Sequence, residues 1–137
     1  MATIFTATEN RYENIRILVL EDEVHIRQII CRLLRQIGFR LIDEVGNGVD
    51  GFRELLRVKP QLILCDIHME PMDGMTFLGK LRGLNHPQLS KIPLIFLTAD
   101  TNRDTVANAK NLRVDGYLAK PVSMKALKER IDAALAQ

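Results

Sequence analysis

Short apolar runs alternate with amphipathic helical patterns along most of this chain, and this alternation constrains the fold more than any other feature. Each run has the length of a β-strand, and each helical pattern has one apolar face. Strands that are joined in this way by helices form a parallel sheet with helices on both faces. We therefore expect an α/β fold with a doubly wound parallel sheet, whose five strands are predicted at residues 15–20, 40–45, 61–66, 93–97 and 116–119.

The helical patterns give five predicted helices. The first has apolar residues at positions 26, 29, 30, 33, 34 and 37, which is one helix face, and Gly38 ends it. Ser123 is a suitable N-cap for the last helix. Residues 85–91 form the longest predicted loop. The second predicted helix has its apolar face at residues 49–56 and ends at Lys59-Pro60. The remaining predicted helices cover residues 75–84, 101–112 and 122–135.

Acids, a hydroxyl and an amine follow the predicted strands at their carboxyl ends. Asp66 ends the buried third strand, where a carboxylate is costly unless something binds it. Glu21 and Asp22 follow the first strand, Thr98 follows the fourth and Lys120 follows the fifth. In an open α/β sheet this edge is where ligands bind.

Three of these side chains predict a metal site. If the first and third strands are neighbours, Glu21, Asp22 and Asp66 converge and repel one another, and a hard divalent cation relieves that repulsion. Magnesium suits such a site because it binds few carboxylates and keeps several waters. A carboxylate can also act as a nucleophile and form an acyl phosphate. Magnesium, Lys120 and Thr98 would then supply the positive charge and the donor that phosphoryl transfer needs.

Each of these residues also has an ordinary interpretation. Residues 21–23 could be a helix start, where acids favour the helix dipole. Lys120 could be a solvated loop residue, and Thr98 could be a strand-end cap. Taken singly, these interpretations are the better ones. The coincidence of all the residues at one sheet edge favours a functional site.

Charge and hydropathy exclude several classes of function. The net charge of +2 is too small to indicate a nucleic acid partner. No apolar run approaches the roughly 18 residues of a membrane span, and we recognise no signal peptide, so we expect a cytoplasmic protein that contacts no membrane. Cys31 and Cys65 are predicted as small buried hydrophobic residues. Residues 1–14 are predicted as a flexible tail and residues 15–137 as one domain.

Four segments together resemble the receiver domain of two-component response regulators, of the single-domain chemotaxis-regulator type. They are residues 18–23, 64–74, 96–99 and 116–121, and the resemblance covers about residues 15–135. It implies the flavodoxin-like receiver fold with the sheet order 2-1-3-4-5. It also implies a phosphoprotein that takes a phosphoryl group from a phosphohistidine and is not a turnover enzyme.

The resemblance assigns a role to each residue of the predicted site. It implies that Asp66 is the phosphoacceptor and that Thr98 and Lys120 are catalytic residues that contact the phosphoryl group. Thr98 and Tyr117 would be the switch residues, although Tyr117 alone could be a half-buried core residue. The implied ligands of Mg²⁺ are Glu21, Asp22, Asp66 and the backbone carbonyl of His68.

Partners follow from the same resemblance. The phosphodonor would be a sensor histidine kinase or a histidine phosphotransfer protein. A downstream effector protein would bind the face made by the fourth helix, the fifth strand and the fifth helix; alternatively, the phosphoryl group passes to a second phosphotransfer histidine. Since the fifth helix ends the chain, we expect a stand-alone receiver that catalyses its own phosphorylation and dephosphorylation. Because Lys120 is predicted at a solvent-facing strand end, its truncation should impair signalling more than folding.

The loop after Asp66 departs from the family pattern. In residues 69–71, Met-Glu-Pro, the proline is shifted by one position, but the distance from Asp66 to Gly74 predicts that the loop still closes. Two other interpretations remain. Residues 46–51 match the G-x-G-x-x-G pattern of dinucleotide-binding folds, which would leave the other predicted site residues without a role. The chain could also be a receiver-like module that only binds a partner.

Overall fold

Five strands and six helices alternate along the residues that the computed structural model describes, which are 10–99 and 103–136. The strands are β1 (Arg16–Leu20), β2 (Leu41–Val45), β3 (Leu62–Asp66), β4 (Leu94–Thr98) and β5 (Gly116–Ala119). The helices are α1 (Val24–Ile37), α2 (Gly48–Val58), α3 (Gly74–Arg82), α4 (Pro87–Ser90), α5 (Arg103–Asn111) and α6 (Met124–Leu135). All strand pairs are parallel, in the order β2-β1-β3-β4-β5, which confirms the predicted fold.

The central strands β1, β3 and β4 are buried because apolar side chains project from both of their faces into the cores on either side of the sheet. Successive side chains alternate between the two faces of a sheet. Ile17 and Leu64 belong to the core under α1 and α6, whereas Leu18 and Ile63 belong to the core under α2, α3 and α5. The helices therefore cover both faces and leave the carboxyl ends of the strands as an open edge.

Local signals fix several helix ends. Ser123 accepts a hydrogen bond from the backbone N–H of Ala126 at 3.1 Å, which confirms it as the N-cap of α6. Asp73 caps α3 in the same way through the N–H of Thr76 at 2.8 Å. Gly38 ends α1 with a φ of 132°, in the region that favours glycine, as the sequence predicted.

The predicted loop at residues 85–91 contains the short helix α4, so that prediction was incomplete. The guanidinium of Arg82 donates to the carbonyl oxygens of Ser90 at 2.9 Å and Ile92 at 2.8 Å. It also pairs with Asp115 at 2.9 Å, and both side chains are largely buried. These contacts come from α3 and from the residue before β5, so the local sequence carries no signal for them.

The flexible tail predicted at residues 1–14 lies outside the described residues for positions 1–9 and is wrong for positions 10–14. Tyr12 is buried, its ring centroid lies 5.1 Å from that of Phe39, and its hydroxyl donates to Asp132 at 2.6 Å. The side chain of Asn10 donates to the carbonyl oxygen of Gly38 at 2.6 Å. One aromatic residue in a polar, aperiodic segment was too weak a signal to predict this packing.

Both cysteines are free and buried, as the sequence predicted. Burial raises the pKa of Cys31 to about 11, so its thiol is neutral at physiological pH. Among the described residues, no helix combines the length and the apolar character needed to cross a membrane.

Candidate functional site

The parallel topology brings the predicted site residues to one edge of the sheet. Asp66 is the last residue of β3 and is paired with Leu97 of β4, and Thr98 ends β4. Glu21 and Asp22 directly follow β1, which lies beside β3. Carboxylate oxygens of Glu21, Asp22 and Asp66 all lie within 4.8 Å of one another. The predicted acidic cluster therefore exists in the fold.

Lys120 follows β5 and reaches into this cluster. Its Nζ atom lies 2.5 Å from Oε1 of Glu21 and 3.5 Å from Oδ2 of Asp66. The backbone N–H of Lys120 donates to the carbonyl oxygen of Thr98 at 2.9 Å, which fixes the chain beside β4. The Lys120 side chain is 15% exposed and that of Glu21 is fully buried, so the predicted solvent-facing position of Lys120 is wrong. The buried charge of Glu21 draws the ammonium inward.

Burial and mutual repulsion perturb the acids of the site. Burial raises the pKa of Glu21 to about 7, and the close contact with the Lys120 ammonium only partly opposes this effect. Burial also raises the pKa of Asp66; the charge of Lys120 lowers it and that of Asp22 adds to the rise. Burial alone would lower the pKa of Lys120, but its contacts with Glu21 and Asp66 outweigh burial and raise it. One ammonium is thus insufficient for three converging carboxylates.

The donor set fits a hard divalent cation. Oε1 of Glu21 is buried, and among the described residues it has no hydrogen bond of regular geometry, its close neighbour being the Lys120 ammonium. A cluster of carboxylate oxygens that is partly open to solvent suits Mg²⁺, which binds one or two carboxylates and keeps waters. Asp22 is exposed and supplies the open side. His68 lies at the mouth of the site, two residues after Asp66, where its backbone carbonyl could join the ligands.

An open cleft of about 810 Å³ lies beside the acidic cluster. The loop after β3 forms one wall of this cleft and closes as predicted, despite the order of residues 69–71. The N–H of Gly74 donates to the carbonyl oxygen of Ile67 at 2.7 Å, and a Cβ atom at Gly74 would lie 2.3 Å from the carbonyl oxygen of Asp66. Glycine is therefore required there. The cleft is lined by Asp22, Val49, His68, Met69, Glu70, Pro71, Met72, Asp73 and Thr76.

Two of the three glycines in residues 46–51, Gly48 and Gly51, are required by close packing. A Cβ atom at Gly51 would lie 2.3 Å from the side chain of Leu20, and one at Gly48 would lie 2.7 Å from Met72. The N–H of Gly48 already donates to the carbonyl oxygen of Met72 at 3.1 Å. Since this amide and the space around it are occupied, the pattern does not form a dinucleotide phosphate site.

The two predicted switch residues lie on neighbouring strands. Thr98 is fully buried at the end of β4. Tyr117, on β5, is half-buried, and its ring meets Phe96 edge-on at a centroid distance of 6.3 Å. It packs in the same core as Ala109 of α5, the helix predicted at residues 101–112, of which residues 101–102 lie outside the described part. This arrangement connects the site to α5.

Arg27 is a residue of the site that sequence reasoning missed. Its Nη1 atom donates to the carbonyl oxygen of Glu21 at 2.7 Å, and its Nε atom pairs with Glu44 at 3.0 Å. Arg27 thus holds the chain where β1 meets the acidic cluster. In the sequence it is one of several arginines on an amphipathic helix, and no local pattern distinguishes it.

Comparison with known proteins decides the family. The family model of the response regulator receiver domain matches residues 17–132. The chain belongs to this family. Receiver domains accept a phosphoryl group in two-component signalling, bind Mg²⁺ at an acidic pocket, and interact with histidine kinases and downstream effectors.

Curated relatives of this receiver domain include chemotaxis proteins. A Rhizobium etli protein named "Probable chemotaxis protein CheY" is 33% identical over 121 residues, which cover 88% of this chain and 92% of that protein. Chemotaxis protein CheY-3 of Vibrio cholerae is 29% identical over 120 residues, covering 88% and 91%. The crystal structure of chemotaxis protein CheY4 of Vibrio cholerae superposes on this chain with a TM-score of 0.80 at 22% identity. The match covers 88% of this chain and 98% of CheY4, which shows that the two proteins share a fold.

Proposed function

We propose that this receiver takes a phosphoryl group from a phosphohistidine onto Asp66. The observation that carries the proposal is the position of the Asp66 carboxylate. It lies 3.5 Å from the Lys120 ammonium, and within 4.8 Å of carboxylate oxygens of both Glu21 and Asp22. A nucleophilic carboxylate, an amine and a cluster suited to Mg²⁺ are the groups that formation of an acyl phosphate needs.

The proposed phosphoryl transfer is a single displacement at phosphorus. An oxygen of Asp66 bonds to phosphorus while the nitrogen–phosphorus bond of the phosphohistidine breaks, and the imidazole leaves with the electron pair. The ammonium of Lys120 offsets the negative charge of the phosphoryl oxygens, and the hydroxyl of Thr98 donates a hydrogen bond to one of them. Bound Mg²⁺ would supply further positive charge to the same oxygens. The residues that would hold it are Glu21, Asp22, Asp66 and, through its backbone carbonyl, His68.

The receiver would act once per phosphoryl group and would not be a turnover enzyme. Attack of water on the phosphorus would restore Asp66, so the chain would catalyse its own dephosphorylation as well as its own phosphorylation. A sensor histidine kinase or a histidine phosphotransfer protein would be the donor. The phosphoryl group would then either change a surface that an effector reads or pass to a second phosphotransfer histidine.

The effector would bind the face made by α5, β5 and α6. In the proposed switch, Thr98 moves toward phosphorylated Asp66 and Tyr117 turns inward, which resets this face. The packing of Tyr117 in one core with Ala109 of α5 supports that coupling. An acidic partner surface would suit the face, since it carries four exposed cations: Lys110, Arg113, Lys125 and Lys128.

Labelling with a small phosphodonor tests the proposal. Incubation with acetyl phosphate and Mg²⁺ should add one phosphate to the wild type and none to Asp66→Asn, as read by intact-protein mass. Glu70→Gln removes an exposed carboxylate from the wall of the same cleft and should label like the wild type. Full labelling of Asp66→Asn would move the acceptor elsewhere.

A further inference from the structure

Helix α2 presents an apolar stripe to solvent. Val49 and Leu56 are 39% and 50% exposed, two of four large apolar side chains so exposed in the described part of the chain. They are seven residues apart, which is about two helical turns, and so lie on the same side of α2. A groove of about 440 Å³ between α2 and α3 adjoins Val49. It is lined by Val49, Phe52, Met72, Lys80, Gly83 and Leu84.

Charged residues run parallel to this stripe along α2. Asp50 and Arg57 are also seven residues apart, with the acid near the start of the helix and the base near its end. Between them, Arg53 pairs with Asp50 at 3.5 Å and Glu54 pairs with Arg57 at 2.7 Å. These two acids and two bases cancel, so α2 itself carries no net charge toward an identical helix, and Lys80 in the groove is the one added positive charge among the groove-lining residues.

We propose that α2 packs antiparallel against α2 of a second copy of this chain. A two-fold axis places the start of one helix opposite the end of the other. Val49 then meets Leu56 of the second copy, and Asp50 meets Arg57 of the second copy. Each contact occurs twice, with apolar side chains against apolar ones and opposite charges facing each other.

The second exposed apolar pair, on α1, does not have this self-complementary pattern. Val24 and Ile29 are 52% and 51% exposed but five residues apart, so they point in different directions around the helix. Their nearest exposed charges toward the end of α1 are Arg32 and Arg35, which would repel their copies. The pairing of copies is therefore assigned to α2. A single helix pair buries little area, so the dimer is weak and depends on concentration.

Sedimentation equilibrium of the full chain tests the proposal. Over a concentration series that reaches about 1 mM, the wild-type mass should rise from that of one chain toward that of two. Leu56→Glu places a charge in both apolar contacts and should weaken association on the order of tenfold or more. Ile29→Glu, with an equally exposed side chain on α1, should associate like the wild type. Thermal melts verify that each variant is folded.

A charge exchange tests the orientation of the two helices. Asp50→Arg and Arg57→Asp should each weaken association, because like charges then face each other. An equimolar mixture of the two variants should associate more strongly than either alone, since both contacts again join opposite charges. A wild type that stays monomeric over the whole concentration series would overturn the proposal. The groove would then be a binding site for a different protein. Loss of association in Ile29→Glu but not in Leu56→Glu would also overturn it, as would a mixture no stronger than its components.

Discussion

Among single residues of the site, Lys120 has both a structural and a functional role. Its ammonium compensates the charge of a buried acid, and it also faces the proposed phosphoacceptor. Its Nζ atom lies 2.5 Å from the buried Glu21 and 3.5 Å from Asp66. Removing one partner of a buried charge pair leaves the other without compensation, which is the expensive case. Lys120 therefore contributes to folding as well as to phosphoryl transfer, contrary to what its position before Pro121 suggests in the sequence.

A truncation of Lys120 should measure both roles. Without Mg²⁺, we expect Lys120→Ala to lower the free energy of unfolding by about 1–3 kcal/mol. Denaturant melts in a chelator provide the measurement. Lys128→Ala is the matched control, because Lys128 also pairs with a carboxylate but is about half exposed, and it should change stability little. Equal losses of unfolding free energy in the two variants would show that the Lys120–Glu21 pair stabilises the fold no more than a solvent-exposed ion pair does.

Helix α6 is tied to the start of the domain through Asp132, which contacts both Tyr12 and Arg11. Tyr12 donates to Asp132 at 2.6 Å, and Lys128 pairs with the same carboxylate at 2.9 Å. Burial raises the pKa of Asp132, but these two bonds and the charges of Lys128 and Arg11 outweigh burial and lower the pKa below its ordinary 3.8. A carboxylate whose pKa is lower in the folded state stabilises the fold at pH values above its ordinary pKa. This stabilisation is lost as the pH falls through the folded-state pKa.

The pH dependence of Tyr12→Phe tests this attachment. The variant keeps the ring against Phe39 and loses the hydrogen bond, so we expect a loss of about 1 kcal/mol at neutral pH. The loss should shrink as the pH falls below 3.8, where Asp132 becomes protonated. Melting temperatures of both proteins across pH give the result. In an Asp132→Asn background the same substitution should show no such pH dependence; if it does, another group is responsible.

Helix α5 is weakly anchored, which makes it the element that a phosphoryl group could shift. Among its residues whose side chains the structure describes, Ala109 is the one fully buried, while Val106 is half-buried and Ala107 is exposed. Threonine and asparagine, which are poor helix formers, are frequent in it. Elements with few apolar contacts open at low free energy.

Amide exchange with the phosphoryl mimic beryllofluoride should reveal the coupling. We expect altered exchange at residues 103–120 in addition to the surroundings of Asp66, and little change in α2. Asp66→Asn serves as the control, since it should not respond to beryllofluoride. Changes that remain at Asp66 and never reach α5 or β5 would contradict the proposed switch.

The sequence predicted those features that depend on local patterns and on topology. Apolar runs define the strands, and a parallel sheet necessarily brings Glu21, Asp66 and Lys120 to one edge, whatever the details of packing. The burial of Tyr12 and the contact of Arg27 with Glu21 could not be predicted. Each depends on side chains that meet only in the folded molecule, and a single polar or aromatic residue gives no periodic signal. The inward position of Lys120 escaped prediction for the same reason.

Removal of the metal should affect the stability of the whole molecule. Mg²⁺ relieves the repulsion among the three carboxylates and so binds the folded state. At a Mg²⁺ concentration of 100 times the dissociation constant, binding to the folded state alone should raise the free energy of unfolding by about 2.7 kcal/mol. Asp22→Asn removes one ligand and one repelling charge. We therefore expect this variant to be at least as stable as the wild type in a chelator, and to gain less from Mg²⁺. Thermal melts with and without Mg²⁺ measure both quantities, and Glu70→Gln should keep the full gain. A wild-type melting temperature that a chelator leaves unchanged would contradict the magnesium site, and a full gain in Asp22→Asn would exclude Asp22 as a ligand.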